Sequence, residues 1–336
     1  METFIPNQKS NSLGGKSGLV KIVVGGVILA ALIFAAVWFL VLHKTTTELF
    51  KPIAEESSSS FLKKTTVQNP ITGEMVADAL ATSWVNARPL ATMIDNHVDA
   101  RPQSGLIYAD VVYEVVAEGG ITRYIAFFLS NTPTKIGPIR STREYYLVLV
   151  KELGDAMLMH IGYSPQAQEA IATWPIRSLF VGGADFTRDT TRNVATEHTA
   201  YVNGLDLRTL GDKLGWQGNH PFDSWKFKDD VTTYSAQPAA THLEIDFWAK
   251  GDYSAVWDYD TNNNSYKRSV GFDSAGKSIP HLDNETKQQI SVKNVVVQFA
   301  KESAIQNDPK NRLDYVLVGS GSGLIFEDGK VIKATW

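Results

Sequence analysis

Residues 141–173 read STREYYLVLVKELGDAMLMHIGYSPQAQEAIAT, and the order of elements in this stretch decides the fold class. Ser141-Thr142-Arg143-Glu144 has the spacing of a capping box, Leu147, Val148 and Val150 follow it, and Gly154 is placed to end the helix. Ala156 to Ile161 is a short apolar run that reads as a strand. Ser164 then offers an N-cap with Pro165 at the first helical position, opening a second helix over Gln166 to Thr173. Upstream, Leu90 to Ile94, Val111 to Val116 and Ile121 to Leu129 are rich in β-branched and aromatic residues and read as strands. Strands alternating with helices predict an α/β (α+β) domain on a parallel or mixed sheet. Loops at the carboxyl ends of such strands gather into a crevice.

From about His242 the pattern is strands alone: His242 to Trp248, Tyr253 to Tyr259, Ser265 to Phe272, Val292 to Phe299 and Tyr315 to Val318. Asp328-Gly329 is a strong hairpin signal between Gly323-Leu324-Ile325-Phe326 and Val331-Ile332. Gly319-Ser320-Gly321-Ser322-Gly323 lacks both the helix start and the closing Lys-Ser/Thr of a phosphate loop, so it reads as a strand connection. The change of rhythm divides the globular part into an α/β domain over 69–240 and a smaller β-rich domain over 241–336.

The other end of the chain reads differently. Ile22 to Leu42 runs IVVGGVILAALIFAAVWFLVL without a charge, and at 1.5 Å per residue it reaches across roughly 30 Å of hydrocarbon, which predicts one transmembrane helix. Lys9, Lys16 and Lys21 precede it against Glu2 alone, so residues 1–21 are expected in the cytoplasm and the bulk of the chain outside it. The bulky end of the run, Trp38-Phe39-Leu40, has no small-residue cleavage site, which favours an uncleaved anchor over a signal peptide. Residues 43–68, with Glu55-Glu56 and Ser57 to Ser60, are too polar to order themselves and read as a disordered stalk. The chain has no Cys, which excludes disulfides, thiolate metal sites and a lipid on an N-terminal Cys, so the helix itself is the expected attachment. A net charge of −4 without long basic runs gives no footprint for nucleic acid.

Three loops of the α/β part are unusually polar: Asp95 to Pro102 (with Asn96, His97, Asp99 and Arg101), Gly137 to Glu144 (with Arg140, Ser141 and Arg143) and His160 to Gln166 (with Ser164). A helix start with Arg140 and Arg143 beside it suits an anion; the same arginines could instead pair with Glu114 and Glu118 as structural ion pairs. Gly162-Tyr163-Ser164 resembles half of a nucleophile elbow, but Pro165 removes the amide that would line the oxyanion hole. Asp95, His97, Asp99, His160, His198 and His220 could bind a metal, yet none stands at HExxH-like spacing, so neither metal nor cofactor is expected. Glu114 and Glu118 could serve as an acid/base pair on a glycan, their separation deciding the mechanism.

These segments carry a resemblance. Asn69-Pro70-Ile71-Thr72-Gly73, Arg88-Pro89, Met93 to His97, Ala100 to Gly105, Ala109 to Glu114, Ala117 to Arg123, Lys135 to Ser141 and His160 to Gln166 resemble, in order, the YerB-like family of bacterial envelope proteins. Tyr266-Lys267-Arg268, Asn294 to Val297 and Gly329 to Trp336 resemble that family's C-terminal domain. The resemblance implies two domains and an envelope location, and it brings no established activity. Members are often lipoproteins, whereas this chain has no Cys; the family pattern would also continue beyond Trp336. Two functions remain open. One is an envelope binding module taking an anionic or cell-wall-derived ligand, or an envelope protein, among Asp95, Asn96, His97, Arg101, Glu114, Glu118, Arg123, Arg140, Ser141, Arg143, His160, Ser164 and Gln166. The other is a hydrolase or transferase on wall polymer with Glu114 or Glu118 as acid/base and His97 or His160 assisting.

Overall fold

The structure is a computed structural model that describes residues 66–218, 223–230 and 237–336. The expected cytoplasmic tail, transmembrane helix and most of the stalk lie outside the described residues. Among the described residues no helix is long and apolar enough to cross a membrane. Residues 64–336 form one compact unit.

The unit opens with a small hairpin of β1 (Thr66–Gln68) and β2 (Met75–Ala77), so the last residues assigned to the stalk are already paired, Thr66 opposite Ala77. A short helix α1 (Asp78–Ala81) follows. The central sheet is built from β3 (Leu90–Asp95), β4 (Val111–Val116), β5 (Thr122–Phe128) and β6 (Met157–Met159) in the order β4-β5-β3-β6. It is mixed: β3 runs antiparallel to β5 and parallel to β6. Helix α2 (Glu144–Glu152) crosses from β5 to β6, and α3 (Pro165–Thr173) follows β6.

Every residue of β3 is buried because both faces of the sheet are covered. Ala91 and Met93 pack with Ile125, Phe127 and the apolar side of α2 and α3; Leu90 and Ile94 pack on the opposite face with Tyr124, Phe128, Ile136 and Ile139. On the edge strand β4, Tyr113 and Val115 join the helical side, which leaves Glu114 pointing to the other face.

Between the sheet and the second half lie β7 (Thr187–Arg188), β8 (Ala200–Tyr201) and α4 (Gly204–Lys213), capped by Asn203. The β-rich half comprises β9 (His242–Ile245), β10 (Ala255–Asp260), β11 (Ser265–Phe272), β12 (Ser278–Pro280) and β13 (Ser291–Val292) in one sheet, then β14 (Val295–Gln298), β15 (Lys301–Ala304), β16 (Leu313–Val316), β17 (Ser322–Glu327) and β18 (Lys330–Thr335). β17 and β18 form the expected hairpin, in which Asp328 and Gly329 both take positive φ, 51° and 71°, as a two-residue type I′ turn requires. The glycine-rich run leads directly into β17, with no helix after it.

One local expectation is overturned. The capping box at Ser141 does not form: α2 starts at Glu144, its N-cap is Arg143 in extended conformation, and no side chain caps it. Ser141 Oγ instead donates to the Ile161 carbonyl at 2.9 Å, tying the loop before α2 to the loop after β6. The Ser164 cap does form, its Oγ accepting from the Ala167 amide at 3.1 Å.

Candidate functional site

The carboxyl ends of β3, β4 and β6 and the start of β5 lie at one end of the sheet. The register sets Asp95 opposite Arg123, and Arg123 in turn opposite Val115. The loop bearing Arg140 is drawn onto the end of β3 by backbone bonds, the Asp95 amide donating to the Pro138 carbonyl at 2.9 Å and the Arg140 amide to the Met93 carbonyl at 2.9 Å. Gly137 permits this approach: at φ 146° it sits where an added Cβ would meet the Ala200 carbonyl oxygen at 2.7 Å.

These segments enclose a cavity of about 240 Å³ lined by Asp95, His97, Glu118, Ile121, Arg123, Arg140, Glu197 and His198. Its charges are segregated. At one end Glu118 faces three guanidinium groups: Arg143, whose Nε bonds to it, Arg123 at 3.7 Å and Arg312 at 3.8 Å. Burial works to raise the Glu118 pKa, but the Arg143 hydrogen bond and the charges of Arg143 and Arg123 outweigh it and hold the carboxyl below its usual range. At the other end Asp95, only 2% exposed, accepts from His198 Nδ1 at 2.7 Å and faces Arg140 Nε at 3.3 Å, while Arg140 also donates to Glu197 at 2.9 Å. His97 stacks on His198 with ring centroids 4.4 Å apart.

The remaining sequence candidates occupy other places. Asn96 is fully buried; its amide donates to Thr122 Oγ1 at 2.7 Å and Glu114 Oε1 at 3.2 Å, and its Oδ1 accepts from Arg101 and Gln103. Glu114 does not line the cavity: Arg268, from β11, donates to its Oε2 at 2.8 Å. The same guanidinium donates to Tyr124 at 3.0 Å and to His281 Nδ1 at 3.0 Å, and His281 Nε2 reaches Gln103 Oε1 at 2.7 Å. Burial, with Arg268 and Arg101 nearby, pushes His281 well below the usual histidine pKa, so it is a neutral relay between the two halves. Ser141 lends its carbonyl to Arg123 at 2.7 Å. Ser164 is spent on the cap of α3, and Gln166 lies in the first turn of that helix.

His160 is a structural residue and cannot assist catalysis. It is fully buried, Nδ1 donates to the Gly162 carbonyl at 2.8 Å, and Nε2 accepts from Ser178 Oγ at 2.8 Å. Burial lowers its pKa to about 4, only partly opposed by the Gly162 bond. His220 lies outside the described residues.

Sequence reading placed neither Glu197, Arg268, Gln103 nor Arg312 at a site. Glu197 and Arg268 pair with Arg140 and Glu114, 57 and 154 residues away; Gln103 and Arg268 fell within segments of the family resemblance without a site role, and only His198 carried a chemical signal, as a candidate metal ligand.

Two family models match the chain, the N-terminal domain of a protein of unknown function (DUF3048) over residues 71–217 and the C-terminal domain of the same family over 243–336. The chain belongs to the YerB-like family. A curated member, "Putative lipoprotein YerB" of Bacillus subtilis (strain 168), is 29% identical over 255 residues, covering 74% of this chain and 72% of that protein. A crystal structure of YerB protein from Bacillus subtilis aligns with a TM-score of 0.67 and 28% identity, covering 80% of this chain and 87% of that one. Most of the polar cavity therefore lies in the part matched by the YerB-like N-terminal model, whereas Arg268, His281 and Arg312 come from the part matched by the C-terminal one.

Proposed function

We propose that this YerB-like protein is anchored by a single N-terminal transmembrane helix, faces outward from the cell membrane, and binds a small anionic fragment of the cell wall. The observation that carries the binding reading is the pair of guanidinium groups in the cavity lining, Arg123 near Glu118 and Arg140 near Asp95 and Glu197, the Arg140 side chain still 25% exposed. An anionic group entering there gains charge-assisted hydrogen bonds from guanidinium groups already positioned by the fold. The outward location is supported by the uncharged run 22–42 with lysines before it, and by the relative named as a lipoprotein. The acid/base alternative draws no support from these carboxylates: Glu114 is tied to Arg268 outside the cavity, and Glu118 is held ionised, unlike a general acid.

Two measurements test the two parts. A reporter fused after Trp336 is expected to be active only outside the cytoplasm; cytoplasmic activity overturns the topology. Calorimetric titration of the full chain with a soluble disaccharide-peptide from peptidoglycan is expected to show binding that Arg140→Ala weakens by about 10–100-fold. Because Arg140 faces the buried Asp95 carboxylate, thermal unfolding of the variant is measured beside the titration, and a fall in binding counts only where the variant is folded at the titration temperature. Absence of binding by the wild type, or binding indifferent to Arg140, overturns the ligand reading.

A further inference from the structure

We propose that the histidine end of the cavity is a divalent transition-metal site formed by His97, Asp99 and His198, with Asp95 as the group that orients His198. The donor atoms of the three residues lie within 4.8 Å of one another, and His97 Nδ1 is 3.6 Å from Asp99 Oδ2. Two ligands about 2.1 Å from a tetrahedral ion stand roughly 3.4 Å apart, so this pair is already close to coordinating distance.

The protonation of each ring follows from its partner. The Asp99 backbone amide can only donate, so His97 Nδ1, which receives it at 3.2 Å, carries the lone pair. The Asp95 carboxylate can only accept, so His198 Nδ1 carries the proton and Nε2 the lone pair. His198 Nε2 is thus free to ligate as it stands, whereas His97 Nδ1 must release the Asp99 amide to do so. A ligating histidine that hands its other N–H to a carboxylate is the arrangement that fixes ring orientation and raises basicity in metal sites.

Charge points the same way by a separate route. Around the two rings, Asp95, Asp99 and Glu197 are answered within the cavity by Arg140 and, opposite Asp95 in the sheet, Arg123; Arg192 lies behind the turn and is spent on the carbonyls of Asp99, Ala100 and Arg101. A divalent cation balances that excess. The ring planes are only 10° from parallel, so one ion cannot lie in both. His198 is buried and clamped, whereas His97 is half-buried. Binding therefore turns the His97 ring about its Cβ–Cγ bond and breaks the stack. Three protein ligands leave a fourth position open toward the cavity.

The test uses the metal alone, so it does not depend on the wall fragment. Calorimetric titration of the full chain with Zn²⁺ is expected to show one site of micromolar affinity or better. His198→Ala and Asp99→Ala should each weaken it at least 100-fold, Asp95→Asn about 10–100-fold through the lost orienting bond, and His242→Ala, on the exposed His242–Asp258 pair, should leave it unchanged. Proton NMR of the histidine rings should show His97 and His198 shifting together on addition of Zn²⁺. The proposal is overturned if the wild type binds no Zn²⁺ below millimolar concentration. It is equally overturned if binding survives His198→Ala in a variant whose thermal unfolding matches wild type, or is removed by His242→Ala.

Discussion

Replacing Arg268 by Met removes one charge from a buried ion pair while keeping an unbranched apolar stem. The Arg268 and Glu114 side chains are 6% and 11% exposed. The substitution leaves the Glu114 carboxylate with only the Asn96 and Thr122 donors, and strips the Tyr124 hydroxyl and His281 Nδ1 of their partner. It also removes a guanidinium lying 4.9 Å from the Trp257 ring centroid. Breaking a buried pair from one side costs about 3–5 kcal/mol, most of it the penalty of an uncompensated charge. The double variant Arg268→Met, Glu114→Gln removes that charge and is expected to recover at least about half of the loss, a coupling of about 1.5–3 kcal/mol. Urea unfolding of wild type, both single variants and the double variant at neutral pH measures all four corners. A loss of less than about 1 kcal/mol for Arg268→Met, the value of an exposed pair, or simple additivity in the double variant, would refute the reasoning.

Three other outcomes follow from particular side chains. His160 has a folded pKa of about 4 against an ordinary 6.5; as pH falls between these values the unfolded chain takes up the proton first, so stability is lost by about 3 kcal/mol, and His160→Gln should flatten that part of the pH–stability curve. Ser164→Ala should destabilise by about 1 kcal/mol and Ser164→Asp should not, because the hydroxyl caps α3; a null effect of Ser164→Ala in thermal unfolding would free that residue for a binding role. Limited proteolysis is expected to remove the stalk first and then cut near Gln237-Pro238, with the two products co-eluting because Arg268, His281 and Tyr315 bond across the cut; separate elution would contradict that.

What could be read from the sequence follows the range of the interactions involved. β3, β11 and the β17–β18 hairpin were legible because an apolar run, an alternating run and an Asp-Gly turn are local signals. The start of α2 was not: Ser141-Thr142-Arg143-Glu144 has capping-box spacing, yet Ser141 and Thr142 bond to the loop after β6, a tertiary contact that outcompetes the local one. α4 left no clear pattern either, since Gly204 and Gly211 lower its propensity and packing of Leu207 against the sheet's second face compensates. The polar loops around Asp95, Arg123 and Arg140 stood out as chemistry. The pairing of Glu114 did not, because its counter-charge is Arg268, more than a hundred residues away.

That long-range pairing bears on how the family could be recombined. The division between the two family models separates Glu114 from Arg268, so each half carries one member of a buried ion pair. A chimaera joining this chain's first half to a donor half without an arginine at the position of Arg268 would carry a buried carboxylate without its counter-charge. Any exchange that works must carry both residues, or neither.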